Sequence, residues 1–248
     1  MNILLCGCGG RMGAAVAGAA AAAGDRIVAG VDVNPVAAAP YPVFHSPDEF
    51  TGHADVMIDF SHHSALPGLL AYAVRTSTPL VIATTGHTEE EMAMMREAAE
   101  RAPIFFSRNM SLGINLLMAL CRRAAATLGA DFDVEIIEKH HNKKLDAPSG
   151  TALMIADALS EDAEHPYVYD RHAVRKKRER GEIGLHAVRG GTIVGEHEVM
   201  FCGKDEIVTL SHSAASREVF ATGALRAARF MQGKGAGFYN MNDVVGAL

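Results

Sequence analysis

Near the start of the chain a short apolar run, Ile3, Leu4 and Leu5, passes into Gly7-Cys8-Gly9-Gly10-Arg11-Met12-Gly13 and then into an alanine-rich stretch from Ala14 to Ala23. A strand that ends in glycines and opens into strong helix formers is the first turn of a βαβ unit. The glycines permit the tight turn and let a pyrophosphate lie against the N-terminus of the following helix, where backbone N–H groups have no intrahelical partner. Gly7, Gly10 and Gly13 give the spacing G-x-x-G-x-x-G, so the glycine pattern alone is weak evidence, and its position between strand and helix carries the argument.

The next elements agree with a nucleotide site. Ile27 to Val31 supplies a second strand, closed by Asp32, about where an acidic residue hydrogen-bonds the adenosine ribose. Val33 and Asn34 carry no positive charge. A carboxylate about 4 Å from a 2′-phosphate costs around 4 kcal/mol per unit charge at an effective dielectric near 20, and less in an open site. The expected cofactor is therefore NADH in preference to NADPH, by roughly one or two powers of ten. Positive charge from Arg11 or His62 would narrow that gap. Val56 to Phe60 and Leu80 to Ala83 read as further buried parallel strands, separated by a helix from Ala65 to Arg75. They end in Ser61-His62-His63-Ser64, where the histidines read as surface residues, and in Thr84-Thr85-Gly86-His87, which lines the nicotinamide end. A helix over Glu89–Arg101, a strand at Ile104–Phe106 and a long helix from a Ser111 cap to Leu128 follow.

A second dense stretch is Glu138 to Thr151, EKHHNKKLDAPSGT. Phe132, Val134 and Ile136 recur at period two before it, and the apolar ALMIADAL at 152–159 follows, so it is a strand-to-helix loop. With Ser149 as N-cap, the N–H groups of Gly150 and Thr151 fall in the first helical turn and bind anions. His140, His141, Lys143 and Lys144 bring positive or protonatable groups to the same loop. A solvated loop with a capped helix is the plain alternative. The number of polar groups around one helix start favours a pocket for a small acid with a proton donor inside.

Composition bounds the rest. The 248 residues are 49% apolar, enough for one large or two modest domains, and the formal charge of -6 argues against nucleic-acid or membrane partners. Cys6, Cys8, Cys121 and Cys202 lack paired metal-site spacing, so no metal is expected, and reduced thiols fit a cytoplasmic protein. MNILLCGCGGRMG lacks the basic region of a signal peptide. The basic run Arg171–Glu182 reads as a solvated loop. Thr192–Phe201 and Glu206–His212 read as an antiparallel pair, and Arg217–Met231 as an amphipathic helix that returns to the nucleotide domain, ended by Gly233, Gly235 and Gly237 before a short tail.

Taken together, GCGGRMG at 7–13, TTG at 84–86, SRNMSLGIN at 107–115, EIIEKHHNKKLDAPSGTAL at 135–153, GGTIVGEHEVMF at 190–201 and SHSAASREVFATGALRAA at 211–228 resemble the 4-hydroxy-tetrahydrodipicolinate reductases, over essentially the whole length. The resemblance implies an α/β fold with an N-terminal Rossmann dinucleotide-binding domain at 1–110, completed by 217–248. An α+β substrate-binding and oligomerisation domain with an open mixed sheet occupies 111–216, and the implied assembly is a homotetramer. It further implies that Gly7, Gly10, Arg11, Met12 and Gly13 hold the pyrophosphate and Asp32 the ribose. Thr84, Thr85 and Gly86, with Ser107, Asn109 and Met110, take the nicotinamide end. His141, Lys144, Gly150, Thr151 and Arg217 bind a dicarboxylate substrate, and His140 and Lys144 are the proton-donor candidates. The residues do not divide that role between the two; the working hypothesis gives Lys144 the larger share. Some family members carry a basic residue where Val33 stands, and the family accepts both nicotinamides. The rival readings are an NAD-dependent dehydrogenase of another amino acid and a nucleotide-sensing regulator that works through the 171–182 loop.

Overall fold

The computed structural model describes residues 1–246 except 35, 37, 38 and 161–164. Its contacts divide into two compact units, Met1–Leu112 with Arg217–Leu248, and Gly113–Ser216.

The first unit is built on a parallel sheet. Its strands are β1 (Asn2–Cys6), β2 (Arg26–Val31), β3 (Val43–Phe44), β4 (Val56–Asp59), β5 (Leu80–Ile82), β6 (Pro103–Phe106) and β12 (Gly237–Tyr239), in the order β12-β6-β5-β4-β1-β2-β3. Successive side chains point to opposite faces, and here both faces are buried, which is why these strands read as continuous apolar runs. Leu4, Met57, Leu80 and Ile104 pack with α2 (Leu66–Thr76) and α3 (Glu89–Ala99) through Leu69, Leu70 and Met95. On the other face Ile3, Leu5, Ile58 and Phe105 pack with α1 (Arg11–Ala22) and α6 (Glu218–Met231) through Val16, Ala224 and Leu225. Each fully buried aliphatic or aromatic side chain contributes about 1.5–3 kcal/mol relative to exposure. The chain crosses over after β3 to build β4 on the far side of β1, so the carboxyl end of β1 lies where the winding reverses, the usual ligand position in such sheets. The glycine loop begins there.

In the second unit the strands are β7 (Asp133–His140), β8 (Tyr167–Val168), β9 (Ile183–Arg189), β10 (Gly195–Cys202) and β11 (Ile207–Ala214), in the order β11-β10-β7-β9-β8. The sheet is mixed: β10 is antiparallel to β7 and β11, whereas β9 is parallel to β7 and β8. Ile136, Leu185, Val199 and Phe201 face a core completed by Ile114, Leu117 and Cys121 of α4 (Leu112–Leu128) and by Ile155 of α5 (Gly150–Leu159).

Three features differ from the sequence-based expectation. The tail after Met231 contains β12, which extends the parallel sheet beside β6, and α7 (Met241–Gly246). Its three-residue strand is flanked by glycines that read as terminators. Strand β9, inserted between β7 and β8, follows directly on the charged run and was masked by it. The run itself is bound rather than freely solvated. Arg171 pairs with Glu135 and Glu182 at 2.5 Å each, and Arg178 with Asp133 at 2.8 Å and Glu135 at 3.1 Å.

Candidate active site

The glycine loop of the first unit is closed by backbone contacts that tolerate no side chain. Gly7 has φ 75°, in the left-handed region, and a Cβ there would lie 2.5 Å from the Phe60 carbonyl oxygen. A Cβ on Gly13 would lie 2.4 Å from the Gly7 carbonyl oxygen, so α1 could not pack this closely on the turn. Gly10 is the N-cap of α1, without a capping side chain, and Arg11 is exposed at its first position with Met12 half-buried behind it. No acidic residue stands in the first turn, which leaves the positive end of the helix dipole for an anion.

Asp32 is tied to this loop from the end of β2. One carboxylate oxygen accepts from the Gly9 N–H and the other from the Asn34 N–H, both at 2.9 Å. The remaining lone pairs face a cavity of about 790 Å³ lined by Gly9, Gly10, Asp32, Asn34, His45 and His62 among others. None of the described lining residues is a lysine or arginine. The glycine cradle, the bare helix end and the carboxylate together fit a dinucleotide.

At the neighbouring strand ends Asp59, nearly inaccessible, accepts from Thr84 Oγ1 at 2.7 Å and from Ser61 Oγ at 2.5 Å. Burial pushes the Asp59 carboxyl up from its ordinary range, and the Ser61 and Thr84 donors oppose that shift. This residue, unmarked in the sequence reading, anchors the loop of Thr84, exposed Thr85 and Gly86, which has φ 85°. Buried Ser107, Asn109 and Met110 form a second tight turn, with Ser107 Oγ donating to the Asn109 carbonyl at 2.8 Å. His62 is exposed, but His63 is half-buried and bonds Glu91 at 2.9 Å.

In the second unit the chemistry gathers at the end of β7. The period-two phase of Phe132, Val134 and Ile136 continues through Glu138 and His140, so both turn inward. Glu138 is fully buried and His140 is 9% exposed. His140 Nδ1 lies 2.6 Å from one Glu138 oxygen, and Arg189, at the end of β9, reaches both oxygens at 2.7 Å. The Ser149 N–H adds a fourth donor at 3.0 Å. Burial pushes the Glu138 carboxyl up, but Arg189, His140 and the Ser149 amide outweigh it and hold the group below its ordinary range. A carboxylate accepts only, so His140 carries its Nδ1 proton and donates it to Glu138. Glu138 and Arg189 were absent from the sequence-based candidates; extending the strand phase by one residue pair finds the first.

Ser149 caps α5 as expected, accepting from the Ala152 N–H at 3.1 Å. Its Oγ also stands 3.0 Å from Nε2 of His197, which packs edge-on against His140 at 5.3 Å between ring centroids. Burial above all, and then the neighbouring His140, pushes His197 down to about 4, so it is neutral at physiological pH. Gly150 is the first residue of α5, followed by Thr151. Lys144 pairs with Asp146 at 2.8 Å. Lys144, followed by Asp146's own amide and that of Gly150, lowers the Asp146 carboxyl. His141 follows the strand and has a buried Nδ1 without a partner. The fold thus brings His140, His141, Lys144, Gly150 and Thr151 into one strand-to-helix connection. Arg217 belongs to the first unit, where it is exposed at the N-cap of α6.

Comparison with known proteins gives the family of the chain. Residues 1–110 match the N-terminal family model of dihydrodipicolinate reductase, and residues 113–245 the C-terminal one. A 4-hydroxy-tetrahydrodipicolinate reductase of Caldanaerobacter subterraneus subsp. tengcongensis is 51% identical over 99% of this chain and 98% of its own. One from Clostridium botulinum is 46% identical with the same coverage. Among solved structures, a dipicolinate-bound dihydrodipicolinate reductase from Paenisporosarcina sp. TG-14 superposes with a TM-score of 0.81 at 25% identity, covering 98% of both chains. With both family models matched and full-length relatives at this identity, the chain belongs to the dihydrodipicolinate reductase family.

Proposed function

We infer that the chain is a 4-hydroxy-tetrahydrodipicolinate reductase, an NAD(P)H-dependent oxidoreductase that forms tetrahydrodipicolinate in the diaminopimelate route to lysine. The single observation that carries this reading is the loop from Glu138 to Thr151. It sets a carboxylate-held histidine, a lysine and a capped helix N-terminus side by side in a chain of this family. Loss of water from the substrate leaves a conjugated C=N–C=C system in a ring with two carboxylates. The bound nicotinamide supplies hydride from C4, which leaves the ring an electron-rich enamine. Protonation of a neighbouring carbon requires a positioned acid, and His140 and Lys144 serve.

The remaining assignments are those the family resemblance implies. One substrate carboxylate binds the N–H groups of Gly150 and Thr151, with His141 and Lys144 as further donors, each charged contact contributing about 1.5–3 kcal/mol. Gly7, Gly10, Arg11, Met12 and Gly13 hold the pyrophosphate and Asp32 the ribose. Thr84, Thr85, Gly86, Ser107, Asn109 and Met110 receive the nicotinamide end. NADH is preferred to NADPH, a reading supported by a cavity whose described lining has a carboxylate and no lysine or arginine. Oligomerisation, as a tetramer, would use the face of the second sheet turned from its helices, where Val188 and Ile207 are exposed by 44% and 60%. Free cysteines are consistent with a cytoplasmic location.

The test is the initial rate of NADH and NADPH oxidation, with substrate generated from pyruvate and aspartate semialdehyde by the preceding condensing enzyme. Rapid oxidation by the wild type, lost in His140→Ala with NADH binding intact, is expected. No oxidation by folded, NADH-binding protein would refute the reading and favour a sensor or another substrate. Lys144→Ala should lower kcat; a rise in KM alone would deny Lys144 the larger share of proton donation.

A further inference from the structure

The Glu138 carboxylate is fully coordinated on both oxygens. Its two oxygens receive His140 Nδ1–H, two Arg189 N–H groups and the Ser149 N–H, two donors to each oxygen. That arrangement saturates the carboxylate's acceptor sites and fixes the imidazole relative to β7, β9 and the start of α5 at once. The opposite ring nitrogen, Nε2, faces Gly195 on β10, where an added Cβ would stand 3.1 Å away. A glycine at that register puts no side chain of its own against Nε2.

We propose that Glu138 and Arg189 form a positioning pair for His140: the carboxylate holds the inward Nδ1 proton, the guanidinium offsets the carboxylate's charge, and Nε2 is the nitrogen that delivers His140's proton to the reduced substrate. The inference rests on the reading of His140 as a proton donor and adds the residues that aim it. The transfer balances simply. The imidazolium Nε2–H bond breaks, a C–H bond forms at the enamine carbon, and the neutral ring remains with its proton on Nδ1 until water restores the other. The ionisable groups around the ring are Glu138 on its own strand, Arg189 on β9 and His197 on β10, which is neutral; Lys144 lies in the loop that follows.

The first test reads the wild-type ring itself. Ring nitrogen NMR of 15N-histidine-labelled full-length protein, with His140 assigned by comparison with His140→Gln, should show the neutral ring protonated at Nδ1. A neutral ring protonated at Nε2 would overturn the proposal. In Glu138→Gln the single amide oxygen cannot serve four donors, so it stays with Arg189 and Ser149 while the NH₂ faces the imidazole. The tautomer should invert to Nε2–H, and kcat should fall about tenfold or more with KM little changed. Unchanged tautomer together with unchanged kcat would sink the idea. Should that variant not fold, Gly195→Ala leaves the carboxylate pair intact while crowding Nε2. It should retain the Nδ1–H tautomer and lose turnover, and wild-type kcat there would count against Nε2. Wild-type turnover by His140→Gln would overturn the donor reading itself, an outcome distinct from a failure seen only in the ring spectra.

Discussion

Asp32→Asn isolates the cofactor assignment from the rest of the site. In the wild-type protein each Asp32 oxygen already accepts one backbone N–H, from Gly9 or Asn34, and in the proposed binding mode the remaining lone pairs take the ribose hydroxyls. Asparagine has one acceptor oxygen, so one loop N–H loses its partner at about 0.5–1.5 kcal/mol, a cost that falls on both cofactors and cancels in their ratio. The ribose hydroxyls of NADH lose a charge-assisted acceptor worth about 1.5–3 kcal/mol. NADPH instead gains, because a carboxylate about 4 Å from its 2′-phosphate costs roughly 1 kcal/mol in full solvent and 4 kcal/mol at an effective dielectric near 20. At the lower ends of both ranges the terms sum to ~2.5 kcal/mol, so the kcat/KM ratio of NADH over NADPH should fall by nearly two powers of ten. Initial rates at limiting cofactor, with substrate generated in situ, measure that ratio directly. A ratio unchanged within about threefold would mean that Asp32 does not contact the ribose. Equal wild-type values for the two cofactors would break the argument at its start.

Other consequences of the structure can be measured as readily. Gly223→Ala places a Cβ 1.7 Å from the Met110 carbonyl oxygen, so α6 must shift from the turn at 107–110. Chemical denaturation should show a loss of about 1–3 kcal/mol, and a neutral effect would contradict the packing. Arg189→Met leaves Glu138 fully buried beside an apolar side chain, and a loss of about 3–5 kcal/mol at pH 7 is expected in the same assay. Glu138's carboxyl is lowered in the folded wild type, so its contribution is present above the unfolded carboxylate range and is lost as pH falls through the folded value. In Arg189→Met that dependence should weaken or reverse. His197, held down to about 4 from 6.5, makes stability fall as pH drops between those values, by roughly 3 kcal/mol in all. A His197→Asn variant should lack that slope; an identical slope would assign it to other groups.

What the sequence revealed depended on whether a signal was local. The glycine loop, the Ser149 cap and the period-two approach to Glu138 are each written in a few consecutive residues, and each is present in the structure. Strand β9 was hidden because Ile183 to Arg189 acquires its partner, β7, across more than forty residues, while its neighbours in sequence are charged. Strand β12 is too short to show a period and is defined by pairing with β6. The same distinction separates the site residues. His140 and Lys144 announce themselves within one dense loop. Arg189 gains meaning only when β9 lies beside β7 and carries its guanidinium to Glu138. Asp59 reads in sequence as one residue inside the apolar strand Val56–Phe60, and only the fold brings Ser61 and Thr84 onto it.

The two histidines at the inner face of the second sheet show how environment assigns roles to identical side chains. His140 and His197 are both nearly buried and stand ring edge to ring face, so two imidazolium ions there would repel. Only His140 has a carboxylate within hydrogen-bond reach, at 2.6 Å, and that carboxylate is itself kept ionised by Arg189. His197 has a hydroxyl, Ser149 Oγ, and desolvation drives it to the neutral form. A neutral His197 therefore adds no positive charge beside His140. The Ser149 hydroxyl that contacts His197 also caps α5, the helix whose first turn is assigned to the substrate carboxylate. Protonating His197 would place a positive ring beside His140 and compete for the cap oxygen, so acid should weaken dicarboxylate binding as well as stability. Titration calorimetry with pyridine-2,6-dicarboxylate between pH 6 and 4 measures this, since His197 gains its proton around 4. Affinity that changes identically with pH in the wild type and in His197→Asn across that range would show that the cap and the ring are not coupled.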